Sequence, residues 1–426
     1  MNHFVIPLSS PDAMIAARVG PKAANLAALG RAGLPIANGF CLVADAYRVQ
    51  IAALGLESAA REVFSADDAQ ARRSALRMRM QLMEQPVAAE LQEPLIAAWR
   101  DLTRYGAIPG VVRSSALVED GFGSSFAGQF ESFLGIGNEI DFLTAVRACW
   151  AALWAPRALR YMATHDLDPA DTAMALLMQP LVAARAAGGG LSQTAAGGML
   201  INATPGLGSA IAQGEVAPDR YELDRDGTLR ESRTGLTYHQ SGCVHLPRPA
   251  RSRPKAKISL TPAQAGELGR HLIRAEAVMG RPVEIEWALD DAGFKLLQSR
   301  PLHLDDQPAR VPDQIWLRQP RLRGQPAGVG WGTGRACVVN CECEISRIGP
   351  GDVLITRMAG PALGRVLATV AGVVSELGGS TSHLASLARE RCVPMVLGVP
   401  GATHQIPEGA HVAVDGVGGI VRWMRP

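Results

Sequence analysis

Apolar and polar positions alternate along "EIEWALDDAGFKLLQSRP" (284–301), break at Asp290–Gly293, and then alternate again. A period of two on both sides of an Asp/Gly turn predicts a β-hairpin. With the turn centred on Ala292, Glu286 faces Gln298, Glu284 faces Arg300, and all four project from one face. Trp287, Phe294 and Leu297 give the hairpin material to pack. The end of the chain has the same texture in shorter pieces: "GRACVV", "DVLITR", "AGVVSE", "PMVLG", "HVAVDG" and "GIVRW" are β-branched runs split by glycines. They predict a compact domain of strands with one or two helices over 321–426. Residues 1–305 mix Ala/Leu-rich helical stretches with short strand candidates. There "VGPKAANLAALGRAGLP" (19–35) predicts a helix that starts near Lys22 and stops at Gly33 and Pro35. Between the two regions, "HLDDQPARVPDQIWLRQPRLRGQPAG" (303–328) carries four prolines and no sustained period. It predicts a linker over 306–320.

Length supports that division, since single cores stop growing near about 250–300 residues and this chain has 426. Charge narrows the partners. A net charge of +2 leaves no broad basic field for nucleic acid or an anionic membrane, so anion binding must be local. No apolar stretch approaches the roughly 18 residues of a membrane span, and "MNHFVIPLSS" is not a signal peptide. Seven scattered cysteines do not form a disulfide framework. The lone C-x-C of Cys341 and Cys343 reads as thiols in a strand rather than a metal site. A reducing, cytoplasmic setting is expected.

The densest chemistry lies in "GGSTSHLASLARERCVP" (378–394). Gly378 and Gly379 permit close backbone approach, and Thr381 or Ser382 is a natural N-cap that puts His383 in the first turn of a helix. Such an end offers free N–H groups to an anion. His383 is therefore either a satisfied polar residue at a helix start or the carrier of a phosphoryl group. The other eight histidines read as structural. A phosphoryl donor has candidate contacts elsewhere. Glu284 and Glu286 can hold Mg²⁺, with Arg300 beside them for phosphate oxygens; the bland alternative is a surface hairpin with an ion pair. "VVRSSALVEDGFGSSFAGQFESFLGI" (111–136) combines Arg113 with serines and glycines, which suits a loop over phosphates. Lys22 alone reads as solvated. No G-x-x-x-x-G-K-[ST] signature occurs.

Together these segments resemble phosphoenolpyruvate synthase, pyruvate phosphate dikinase, rifampicin phosphotransferase and their relatives. "VGPKAANLAALGRAGLPIANGF" is similar to the family's opening motif, which implies an ATP-phosphate role for Lys22. "VRSSALVED" with "SSFAGQFESFLGI" resembles its arginine and glycine loop, placing Arg113, Gly128, Ser132 and Phe133 at the nucleotide. "LLMQPLV" resembles the hinge segment, with Gln179 near the adenine. "EIEWAL…LQSRPL" is similar to the segment whose acid, glutamine and arginine meet ATP and metal, here Glu284, Glu286, Gln298 and Arg300. "GGSTSHLASLARERCVPMVLGV" resembles the swivelling phosphohistidine domain, with His383 as carrier.

The resemblance implies an α/β (α+β) protein: an ATP-grasp nucleotide-binding domain over 1–305, a linker over 306–320, and a small β/β/α phosphohistidine domain over 321–426. It implies an enzyme that takes ATP and Mg²⁺, forms a phosphohistidine at His383 with release of AMP and phosphate, and passes the phosphoryl group to a small molecule. Arg113 and Arg300 would assist the transfer. The histidine must be neutral to attack, so activity should fall as pH drops through the imidazole range, about 6.5 when unperturbed. Two departures stand out. "GGGLSQTAAGG" (188–198) replaces the family's hydrophobic-and-threonine segment and would loosen the local structure. The family's third unit, where the second substrate binds, has no counterpart in this sequence. A second reading follows from that: a phosphocarrier subunit whose acceptor site lies on a separate protein. A homodimer is compatible with either.

Overall fold

The computed structural model describes residues 3–119, 126–130, 132–238, 252–254, 259–304 and 314–424. The tip of the serine/glycine loop (120–125) and the first part of the expected linker (306–313) lie outside the described residues. The chain divides into two compact units, Met1–Ala183 with Lys295–Arg300, and Ala184–Phe294 with Pro301–Pro426. That division does not follow the expected linker. Residues 314–317 of the linker form a helical turn with Trp316 buried.

In unit 1 a run of buried residues sets the centre of an antiparallel sheet. Its strands are β1 (Val5–Pro7), β2 (Phe40–Leu42), β3 (Gly110–Ala116), β4 (Ser132–Ile136) and β5 (Met174–Pro180), in the order β1-β2-β5-β3-β4. All but the last residue of β5 and all but Arg113 of β3 are buried, as expected of strands covered on both faces. The helix Ala16–Arg31 packs on this sheet through Val19, Ala23, Leu26 and Ala27. It is broken at Gly20, whose positive φ of 77° lets the chain turn before Pro21 restarts the helix. A Cβ there would collide with the Ser115 backbone and side chain. Lys22 thus stands one residue past a true helix start.

Unit 2 begins with β6 (Ala186–Leu191), β7 (Met199–Pro205), β8 (Asp219–Leu223) and β9 (Leu229–Arg233). A small pair, β10 (Leu236–Tyr238) and β11 (Ser252–Pro254), follows. The helix Pro262–Met279 carries a complete capping box between Thr261 and Gln264 and ends on Gly280 in the left-handed region, the stop that glycine makes cheap. β12 (Val283–Asp290) then pairs antiparallel with β6. β13 (Gly293–Pro301) leaves after the two residues Asp291 and Ala292 and carries the chain back into unit 1. The turn is therefore centred between Asp291 and Ala292, not on Ala292.

The rest of unit 2 contains β14 (Arg321–Arg323), β15 (Gln325–Pro326), β16 (Trp331–Val339), β17 (Val353–Thr356), β18 (Gly372–Ser375), β19 (Met395–Leu397), β20 (His411–Asp415) and β21 (Ile420–Met424). All six runs expected from the sequence are strands. β16 serves two ladders: its first half pairs antiparallel with β20 and its second half parallel with β17. β18 and β19 extend the parallel ladder. A core of Val353, Ile355, Val374, Val396, Val412, Val414 and Val421 fills the space within. The C-x-C thiols are not in a strand. Cys341 and Cys343 lie just past β16, where the 3-10 turn Glu342–Arg347 begins.

Candidate functional site

Ser382 caps the helix His383–Glu390 by accepting the Ala385 N–H at 3.3 Å, so His383 is its first residue. The helix behind it, Leu384 to Arg389, is buried on every side. A helix buried all round that contains an arginine needs a partner for that charge. Arg389 finds several. Its Nη1 donates to the Ser380 carbonyl at 2.7 Å and its Nη2 to Glu284 Oε2 on β12 at 2.7 Å. Ser386, one turn earlier, donates to the same carboxylate at 3.1 Å. The ion pair is well shielded, with side-chain exposures of 7% for Arg389 and 4% for Glu284. The histidine helix is thereby tied to β12.

The glycine run explains how the preceding loop fits. β6 is buried along its whole length, and each of its three glycines makes room for something different. A Cβ on Gly188 would strike the Asn202 carbonyl of β7; one on Gly190 would come 3.1 Å from Leu272 of the helix Pro262–Met279. At Gly189 it would lie 2.5 Å from the Thr381 Cβ. Thr381 therefore occupies the space that a side chain at 189 would take. Asn202, opposite Gly189 on β7, donates to Thr381 Oγ1 at 3.3 Å. The first four residues of the segment expected to loosen the structure (188–191) instead lie in a central strand whose missing side chains admit the histidine loop, and 192–198 form the bend and turn that follow.

Glu286 lies directly across from Gly189 in the β12–β6 register. Directly opposed residues share a face, so Thr381, two residues before His383, rests on the sheet face that carries the half-buried Glu286 and the buried Glu284. Trp287 points the other way and meets Phe294 edge-on, ring centroids 5.6 Å apart.

Unit 1 assembles a second cluster. Arg113 on β3 donates to the Leu297 carbonyl at 2.5 Å and to Gln298 Oε1 at 2.9 Å, and Ser132 of β4 is its register partner. Phe133 opposes Val112 in the same ladder. Lys22 donates to the Ser114 carbonyl at 2.7 Å and pairs with Glu119 at 3.3 Å, both side chains largely shielded. Gly128 takes a positive φ of 68° just after the undescribed loop tip. Gln179 is buried and donates to the Ala37 carbonyl at 2.8 Å. Arg300 is buried on β13. The structure thus brings Arg113, Gln298 and Ser132 together in unit 1, and Glu284, Glu286 and the His383 helix together in unit 2.

Several residues escaped the sequence reading. Glu119, Asn202, Ser386 and Arg389 carry no predicted role, although Glu119 lies in 111–136 and Ser386 and Arg389 in 378–394. The signal for Arg389 was present in "LASLAR" (384–389): one charge closing a run of small and apolar residues broken only by Ser386. Among the described residues no group of three His, Cys, Asp or Glu side chains is arranged to hold a metal ion. A magnesium ion often takes only one or two carboxylates and completes its shell with nucleotide phosphates and water. Glu286 is a suitable hard oxygen donor, while both oxygens of Glu284 already accept hydrogen bonds from Ser386.

Comparison with known proteins covers both parts of the chain. Residues 16–315 match the family described as pyruvate phosphate dikinase, AMP/ATP-binding domain. Residues 348–419 match the PEP-utilising enzyme, mobile domain. The phosphoenolpyruvate synthase of Pyrococcus furiosus is 28% identical over 95% of this chain and 56% of its own length. The probable phosphoenolpyruvate synthase of Methanothermobacter thermautotrophicus is 30% identical, over 98% of this chain and 63% of its own. The chain spans little more than half the length of these relatives. Among the described residues no helix is long and apolar enough to cross a membrane.

Proposed function

We propose that this chain, which belongs to the pyruvate phosphate dikinase AMP/ATP-binding family and carries a PEP-utilising mobile domain, moves a phosphoryl group from ATP to His383 and on to a small-molecule acceptor. One observation carries the reading. The loop that launches His383 lies over Gly189, directly across the strand pair from Glu286. A carboxylate able to hold a nucleotide-bound cation and the loop that leads into the nucleophile thus share one face of one sheet.

In the forward half-reaction a neutral imidazole nitrogen donates its electron pair to the β-phosphorus of ATP, the bond to the α-phosphate oxygen breaks, and AMP leaves. Water removes the terminal phosphoryl as inorganic phosphate, which leaves phosphohistidine. Phosphoryl transfer asks the protein mainly for position and for charge neutralisation. Lys22, Arg113 and Arg300 supply cationic groups for the phosphate oxygens, and Gln298 holds the Arg113 guanidinium at 2.9 Å. Gly128, Ser132 and Phe133 belong to the loop and strand that cover the nucleotide, and Gln179 to the hinge strand. Glu286, with Glu284 beside it, would hold Mg²⁺, which when bound spreads the charge of the β- and γ-phosphates. Ser386 and Arg389 keep the histidine helix against β12 and so fix where the imidazole begins.

The test is incubation of the pure protein with Mg-ATP, followed by nucleotide analysis and a search for acid-labile, base-stable phosphate. AMP together with label at His383, both absent in His383→Ala, supports the reading. AMP formation that persists in His383→Ala, or ADP with no labelled histidine, overturns it.

A further inference from the structure

Of the described cysteines, Cys41, Cys149 and Cys337 are buried. Burial pushes the Cys41 thiol up to about 12 and raises Cys337 as well, so these sulfurs stay protonated and shielded. Cys341 and Cys343 are placed differently. They flank one residue at the start of the turn Glu342–Arg347, with Cys343 exposed and Cys341 half-buried. The Cys343 thiol donates to Cys341 Sγ at 2.7 Å, and the Cys343 N–H approaches the same sulfur at 3.4 Å. A disulfide needs about 2.05 Å, so the two sulfurs already stand close to bonding distance.

The turn is braced in this shape from outside. The Asn340 N–H donates to the Glu344 carboxylate at 2.9 Å, and Arg347 reaches the Val338 carbonyl at 3.1 Å and Glu408 at 3.0 Å. These contacts hold the two sulfurs on one side of the chain, where C-x-C side chains in a strand would share a face but stand farther apart. The turn also packs against the turn Pro361–Arg365, which in turn packs on the helix His383–Glu390. The pair thus lies one layer from the element that bears the candidate nucleophile.

We propose that Cys341 and Cys343 form a redox-active dithiol, closed to an intrachain disulfide by a peroxide and reopened by a dithiol reductant. The exposed Cys343 sulfur attacks the peroxide O–O bond, gives a sulfenic acid and releases water. Cys341 sulfur then attacks Cys343 sulfur, the S–O bond breaks, and a second water leaves with the remaining thiol proton. Two thiols and one hydrogen peroxide become one disulfide and two waters. Reduction by exchange with a dithiol returns both protons and electrons.

The experiment treats the reduced full chain with hydrogen peroxide, counts thiols under denaturing conditions, and measures peptide masses. The expected result is loss of two thiols, a peptide spanning 341–343 lighter by about 2 Da, and full recovery with dithiothreitol. The other exposed thiol among the described residues, Cys392, serves as an internal reference and should react more slowly. Cys341→Ser and Cys343→Ser should each abolish the mass change at that peptide. An intact 341–343 peptide under conditions that already modify Cys392 overturns the proposal. So does a loss of two thiols that is unchanged in both serine variants, or bound zinc that protects the pair from peroxide.

Discussion

The buried pair between Glu284 and Arg389 allows a quantitative test of what ties the histidine helix to β12. Glu284→Leu removes the Glu284 carboxylate from a guanidinium that is only 7% exposed and leaves its bonds to the Ser380 and Ala327 carbonyls and the Ser386 hydroxyl. Two unit charges about 4 Å apart attract by about 4 kcal/mol at an effective dielectric near 20, and removing one member of a buried pair costs about 3–5 kcal/mol. Arg389→Met should cost a similar amount. The double variant should not cost the sum, because two apolar residues replace the pair and no charge is stranded. Chemical denaturation of all four proteins gives the coupling energy, expected at about 2–4 kcal/mol. Phosphohistidine formation with Mg-ATP should follow the same pattern, lowered in each single variant and partly restored in the double. Additivity of the two single effects to within about 0.5 kcal/mol would refute the latch. Loss of phosphorylation in Glu284→Leu without any recovery on adding Arg389→Met would instead identify Glu284 with the cation.

Other consequences can be checked singly. Gly189→Val should displace the histidine loop, since even a Cβ would stand 2.5 Å from Thr381; phosphorylation of His383 should fall at least tenfold while the far-ultraviolet circular dichroism is kept. Arg113→Lys retains the charge but loses the fork that reaches both the Leu297 carbonyl and Gln298, so the apparent affinity for ATP should drop about tenfold in an equilibrium binding assay. His271 is held below the usual imidazole range, first by burial and then by Arg274 and Arg270 against an opposing Glu267. A neutral imidazole is therefore favoured by folding: its contribution is full above about pH 6.5 and is lost as pH falls through the depressed folded value. Unfolding curves between pH 7 and 5 should show wild type losing more stability than His271→Gln, and equal slopes would contradict the assignment.

The strands of the last hundred residues were legible because each is a short β-branched run between glycines, and β16 to β21 fall where the pattern put them. The cap at Ser382 was legible for the same local reason, a hydroxyl one residue before a helical run. What the sequence concealed was non-local. Alternation told that Glu284 and Glu286 share a face, but not that Glu284 would meet an arginine 105 residues away. Three consecutive glycines look like slack until the neighbours that fill their absent side chains are known. The turn centre was missed by half a residue because Asp290–Gly293 fits a two-residue link as well as a three-residue one. The placement of Cys341 and Cys343 was missed because a C-x-C continues the alternation of the strand before it.

The route of the chain has a consequence in time. Unit 1 includes Lys295–Arg300, which are synthesised only after all of Ala184–Phe294. At about 5–20 residues per second, the interval is on the order of 5–20 s. Throughout it, Arg113 lacks the Leu297 carbonyl and Gln298, Asn25 lacks the Ser299 carbonyl, and Pro35 awaits the Leu296 N–H that will bond it at 2.7 Å. Unit 1 is thus still unfinished while Ala184–Phe294 of unit 2 is being made, and is completed only when Arg300 has been added. A nascent chain paused before residue 295 presents an incomplete unit 1 to the cell, and the moment at which β13 emerges sets when that exposure ends.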